Sequence, residues 1–116
     1  MAYLTRDAIL AKDDSAFADV EVPEWGGTVR VRTITGSERD QFDEQRERFR
    51  SGGANVGTRA FLVGMATCDE QGNRLFRPDD LVALGKKSMA ALDRVFDVAC
   101  RLNGIGLKAV EDAEKN

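Results

Sequence analysis

Few side chains in this chain of 116 residues are equipped for chemistry. There is no histidine, which removes the usual general base near neutral pH and the commonest neutral metal ligand. Ser-His-Asp and Cys-His nucleophile systems go with it. The groups that could hold a ligand gather between Glu21 and Phe42, in EVPEWGGTVRVRTITGSERDQF. There Gly26 and Gly27 could cradle a phosphate, Trp25 could stack on a base or sugar, and Arg30 and Arg32 could hold an anion. A phosphate loop needs GxxxxGK[ST] or GxGxxG between strand and helix, and ITGSERD has neither. Asp69 and Glu70 followed by Gly72 loosely suggest a calcium loop, but the alternating acids and closing glutamate of such a loop are missing. Cys68 and Cys100 lie on separate apolar segments without CxxC spacing, the pattern of buried, reduced thiols. No catalytic, cofactor or metal site is expected from these residues.

The chain length suits one domain spanning residues 1–116, long enough to fold without metal or disulfide. A hydrophobic share of 42% and a charged share of 32% are ordinary for a globular protein, and no apolar run is long enough to cross a membrane. MAYLTRDAILAKDD lacks the basic-then-apolar order of a secretory signal, so a cytoplasmic protein is expected. The net charge of -3, with signs interspersed, argues against duplex nucleic acid, which normally needs a concentrated basic face.

The elements that would position these residues read as follows. Thr5 caps a short helix over RDAILA. Val20 and Val22, then Val29 and Val31, alternate with charged residues around Glu24-Trp25-Gly26-Gly27 and predict an antiparallel hairpin with one apolar and one charged face. Acids on its first strand should pair with Arg30 and Arg32 on its second, the glycines should supply positive φ, and Trp25 should fold over a sheet edge. Thr35 and Glu38 form a capping box, with Ser37 a competing cap, for a charged helix from about Gly36 to Arg50. Its large apolar residues, Phe42 and Phe49, share one narrow stripe. Two readings stand: a solvated helix laid across a small core, or a helix whose phenylalanines meet another copy or a client helix. Residues 51–57, SGGANVG, form a flexible loop. TRAFLVGMATC is apolar on every side and reads as a central helix. A turn over Asp69 to Asn73, a short helix opened by Pro78 and ended by Gly85, and a long helix from Lys86 to Asn103 complete the chain, with a frayed tail over 105–116. The fold class is α+β: a small antiparallel hairpin or sheet packed with four to five α-helices, the C-terminal half mainly helical.

EVPEWGGTVRVRTITGSERD, DEQGNRLF and LGKKSMAALDRVFDVACRLNG together resemble the small tail assembly chaperones of long-tailed bacteriophages, the group of the lambda-like siphoviruses. The resemblance runs over nearly the whole chain, with SGGANVG the least similar part. It implies a non-enzymatic protein of the bacterial host cytoplasm that keeps the tape measure protein soluble while the tail tube assembles, and that is absent from the finished virion. It further implies a homo-oligomer, with the tail tube protein and a frameshift-extended form of the chain as further partners, and no nucleic acid, membrane or cofactor. Partner contact is assigned to Phe42 and Phe49 with Phe61 and Met65 of the apolar helix, beside the glycine loop. Two other classes compete. One is a structural completion or connector protein retained in the particle; the other is a nucleic-acid-binding regulator using Arg46, Arg48, Arg50 and Arg59, whose patch is diluted by Asp43, Glu44 and Glu47.

Overall fold

A computed structural model describes residues 2–106 of the chain. Five α-helices and a three-stranded antiparallel sheet appear in the order α1 (Arg6–Ala11), β1 (Phe17–Val22), β2 (Gly27–Arg32), α2 (Gly36–Arg50), α3 (Thr58–Ala66), β3 (Thr67–Cys68), α4 (Leu81–Leu84) and α5 (Met89–Asn103). The fold is therefore α+β, as the alternation of period 2 and period 3.6 predicts.

The hairpin forms because Val20, Val22 and Val31 bury one face while the turn supplies the required backbone. Val20 stands opposite Val29, and Val22 opposite Gly27. Pro23 to Trp25 make a single 3₁₀ turn, closed by Gly26 in the left-handed region at φ 75°. Gly27 has ordinary strand geometry, so of the two glycines only Gly26 is there for positive φ. Trp25 is half-buried against the core.

The charged face of the hairpin departs from expectation. Asp19 does stand opposite Arg30, but among the described residues no ion pair joins the acids of β1 to Arg30 or Arg32. Arginine stems are long enough to reach better acceptors. Arg30 lies over the Phe17 ring at 3.9 Å and donates to the Glu70 carbonyl at 2.7 Å. Arg32 turns inward to α2 and α3.

Strand order is β1-β2-β3, and α5 covers the apolar face of β1 and β2. Helix α3 packs on α5, with α2 and α4 against its other sides. That position explains why Ala60, Leu62, Val63, Met65 and Ala66 are all buried: a helix enclosed on most sides must be apolar nearly all round. The run ends differently from its sequence, because Thr67 and Cys68 leave the helix and pair with Val31 and Arg30 as a third strand.

The turn after β3 is closed by Asp69, whose carboxylate accepts from the Gln71 and Asn73 amides at 2.9 Å each. The acid at the centre of the calcium-loop resemblance is thus occupied by its own backbone. Helix α5 begins at Met89 rather than Lys86. Ser88 takes an extended conformation and its hydroxyl accepts from the Ala91 amide, so it is the cap that starts the helix. Gly104, at φ 64°, ends it. Beyond Gly106, the tail predicted to fray lies outside the described residues.

Candidate protein-docking groove

Helix α2 begins with the capping box: the Thr35 hydroxyl accepts from the Glu38 amide, and Glu38 accepts from the Thr35 amide at 2.9 Å. This fixes the helix start and therefore the placement of both phenylalanines along it. Phe42, in its middle, is 1% exposed and stacks against Phe61 of α3 with ring centroids 6.5 Å apart. Phe49, in the last turn, is 45% exposed. The two share a stripe but not a depth. Phe42 faces the body of α3, whereas Phe49 lies over Gly57, just before α3 starts.

Of the four residues assigned to partner contact, Met65 is fully buried and Phe42 nearly so, while Phe61 is half-buried on the core. As the chain stands, these three belong to the interior or its margin. Phe49 alone presents a large part of its ring to solvent.

Around Phe49 the structure assembles a groove that sequence reading did not anticipate, about 410 Å³ in volume. The last turn of α2 supplies Phe49, the first turn of α3 supplies Ala60, and α5 supplies Met89 and Leu92. Gly85, closing α4, and Gly57 keep its floor low. Met89 stands three residues before Leu92 in the three-and-four apolar spacing of α5, a place that predicts burial, but as the first residue after the Ser88 cap it is 68% exposed. Lys87 and Arg59 form the rim. Arg59 is held by Asp93 of α5 at 2.5 Å, which ties α3 to α5 across the groove wall. The only sign of this groove in the sequence was Phe49. Its other walls come from turns separated by dozens of residues, which no periodicity reports.

The loop beside the groove is anchored from beneath. Gln45, buried at 5% exposure, donates to the Val56 carbonyl at 3.0 Å and accepts from Arg48 at 3.2 Å. Arg48 is thus engaged with Gln45, and Arg50 lies 3.9 Å from Glu47. The arginines of the candidate basic patch therefore have protein partners nearby, with Arg46 over the Phe42 ring at 5.6 Å.

The titratable groups with displaced pKa values serve structure. Burial raises the Cys100 thiol to about 11, with Asp97 adding to the effect against Arg46 and Arg39. Burial likewise raises Cys68, against the pull of Arg30 and Arg32. For Glu38 burial acts upward, but the Arg32 hydrogen bonds, the Thr35 amide and the nearby positive charges outweigh it and hold the carboxyl below 4.5. Arg32 contributes 3.0 and 2.7 Å hydrogen bonds to the two Glu38 oxygens and a third, 2.7 Å, to the Met65 carbonyl at the end of α3. The pair holds β2, α2 and α3 together, and its chemistry is exhausted by that task. Among the described residues no three potential metal-ligating side chains converge.

The groove thus combines apolar walls at Phe49, Ala60, Met89 and Leu92 with the polar and charged side chains of Thr58, Arg59 and Lys87. No protein-family description matches the chain, and no curated protein matches its sequence. A solved structure does: the tail assembly chaperone of bacteriophage HK97, at 21% identity and a TM-score of 0.61, over 84% of this chain and 90% of that one. The sheet, the helices and their order thus compose the fold of a phage tail assembly chaperone.

Proposed function

We propose that this protein is a non-enzymatic assembly chaperone of a long-tailed phage, which keeps the tape measure protein soluble in the bacterial host cytoplasm while the tail tube is built. The observation that carries the reading is the fold shared with the HK97 tail assembly chaperone over most of both chains. Two features of the chain are consistent with it. Its two thiols are buried, and an open groove with apolar residues Phe49 and Met89 among its lining faces solvent. A holdase needs such a surface, with charge around it for solubility.

In this reading the protein acts as an oligomer, meets the tail tube protein and a frameshift-extended form of itself during assembly, and leaves before the virion is complete. Phe49 is the proposed contact residue. Phe61, at the margin of the core, extends the contact, and Phe42 and Met65 support both from beneath.

Co-expression with the tape measure protein of the same phage tests the reading. The expected result is a soluble complex that co-elutes on size exclusion, formed by a tape measure that precipitates when expressed alone. A tape measure that stays insoluble with the protein present rejects the chaperone role. Stoichiometric recovery of the protein from purified virions points instead to a retained structural component.

A further inference from the structure

The groove around Phe49 is lined by two kinds of side chain, and its charge is one-sided. Phe49, Ala60, Met89 and Leu92 supply the apolar part, while the charged residues of the lining are Arg59 and Lys87, with no acid among them. Arg59 is paired with Asp93, so its charge is answered within the protein. Lys87 is exposed, and among the described residues its ammonium has no ion-pair partner. The neighbouring charges do not cancel it. Glu47, in the turn of α2 that carries Phe49, lies 3.9 Å from Arg50. The last carbonyls of α2 accept from the Ser51, Gly52 and Gly53 amides, and those of α4 accept from Gly85, Lys86 and Lys87, so the negative ends of both helices are occupied by the chain's own N–H groups. The first turn of α3 stands in the groove wall with Gly57 at its cap position and no side-chain cap, so the positive end of that helix adds to the field of Lys87.

We infer that this groove selects an acidic amphipathic helix, one whose apolar stripe packs on Phe49, Met89 and Leu92 while a carboxylate at the edge of the stripe meets Lys87. The inference rests on the client-binding role proposed above and deepens it, by naming the class of client segment held there. Shape argues for a helix. A groove of about 410 Å³ takes a few side chains from one face of a segment and leaves its backbone outside. A helix satisfies its own backbone hydrogen bonds in that position, whereas an extended segment needs a strand edge that the lining does not offer. Charge argues for the acid. A wholly apolar stripe would cover Lys87 and strip water from its ammonium without replacing it, and a basic stripe would oppose it. A carboxylate gives the lysine a partner in place of the lost water. The groove thereby gains a filter that apolar contact alone lacks, because apolar contact is non-directional and repulsion is what rejects the wrong helix.

Two synthetic helical peptides with the same leucine stripe, one flanked by glutamates and the other by lysines, test this on the full chain by fluorescence anisotropy. The glutamate peptide should bind roughly five- to tenfold more tightly at low ionic strength, and its advantage should shrink as salt is raised. Lys87→Glu should invert the preference, a result that loss of structure cannot produce. The side chain is exposed and stands just before the start of α5, where an acid suits the positive helix end, so the circular dichroism spectrum should be unchanged. Met89→Ser should weaken both peptides alike, since it removes apolar wall and no charge. Equal binding of the two peptides, failure of both to bind, or a preference that survives Lys87→Glu overturns the inference. In co-expression with the tape measure protein, Lys87→Glu should lower the yield of soluble complex. A yield that ignores the substitution overturns the inference while the chaperone reading stands. No complex with the parent chain, beside an intact peptide preference, rejects the chaperone reading and leaves the selectivity of the groove in place.

Discussion

Glu38 is one acid among several in GSERDQFDE, yet it carries two structural duties at once: it completes the capping box with Thr35 and receives both hydrogen bonds of the Arg32 fork. The pair is 13% and 16% exposed at its side chains, so water screens it little. Because the folded carboxyl titrates below its unfolded value of 4.5, its contribution is present above about pH 4.5 and is lost as pH falls through the folded value. Glu38→Gln should therefore cost ~2 kcal/mol at pH 7, less than the loss on breaking a fully buried pair, as measured by urea denaturation. The difference between variant and parent should shrink when the denaturation is repeated at an acid pH below the folded value, where the parent's carboxyl is neutral as well. A gap that stays constant between the two pH values would remove the ion pair from the account. The capping box was legible from Thr35 and Glu38 alone, since it is a local pattern. Arg32 was legible only as a candidate anion holder, because its choice of Glu38 and the Met65 carbonyl over the acids of β1 depends on where α2 and α3 come to rest.

At the scale of elements, the buried helix α3 shows what periodicity can and cannot report. Its all-round apolar composition correctly placed it at the centre, but the same composition hid the break at Thr67, since a two-residue strand has no period of its own. The start of α5 was hidden in a similar way: Lys86 and Lys87 are good helix formers, and only the extended backbone of Ser88 excludes them. Phe42 and Phe49 share a helical stripe, and sequence spacing could not say that α3 covers one and leaves the other open. Within α3, Gly64 has a packing reason. A Cβ there would run into the Leu81 side chain and touch Leu84, so the glycine is what lets α4 seat against α3. Gly64→Ala sets a helix-propensity gain of about 1 kcal/mol against that overlap. Gly64→Val adds bulk and removes the gain, and should lower stability by ~1–3 kcal/mol, with Leu81 forced out of its buried site. Thermal unfolding of the valine variant at or above the parent midpoint would show that α4 yields easily and that the glycine is dispensable.

For the molecule as a whole, the two thiols report different depths of opening. Cys100 lies near the end of the helix that packs on both the sheet and α3, so exposing it means separating the layers of the core. Cys68 is as well buried at 3% exposure, but it sits on a two-residue strand held by its pairing with Arg30 and an isolated bridge to Arg74. Local release of such a strand exposes little apolar surface, whereas release of α5 exposes most of the core, and sensitivity to denaturant scales with the surface exposed. Native-state alkylation should therefore find both thiols protected, with Cys100 modified at a rate that climbs steeply with urea and matches global unfolding, and Cys68 modified with a shallower dependence. The intact protein adds a chemical barrier at Cys100, where a shift from 9.0 to about 11 leaves about 100-fold less thiolate at any given pH below both values. Once α5 opens, that barrier vanishes together with the burial that causes it, so labelling of Cys100 counts opening events rather than slow chemistry in the closed state. Equal urea slopes at the two thiols would mean that β3 separates only when the whole core does, making the third strand as firmly tied to the fold as the helix behind it.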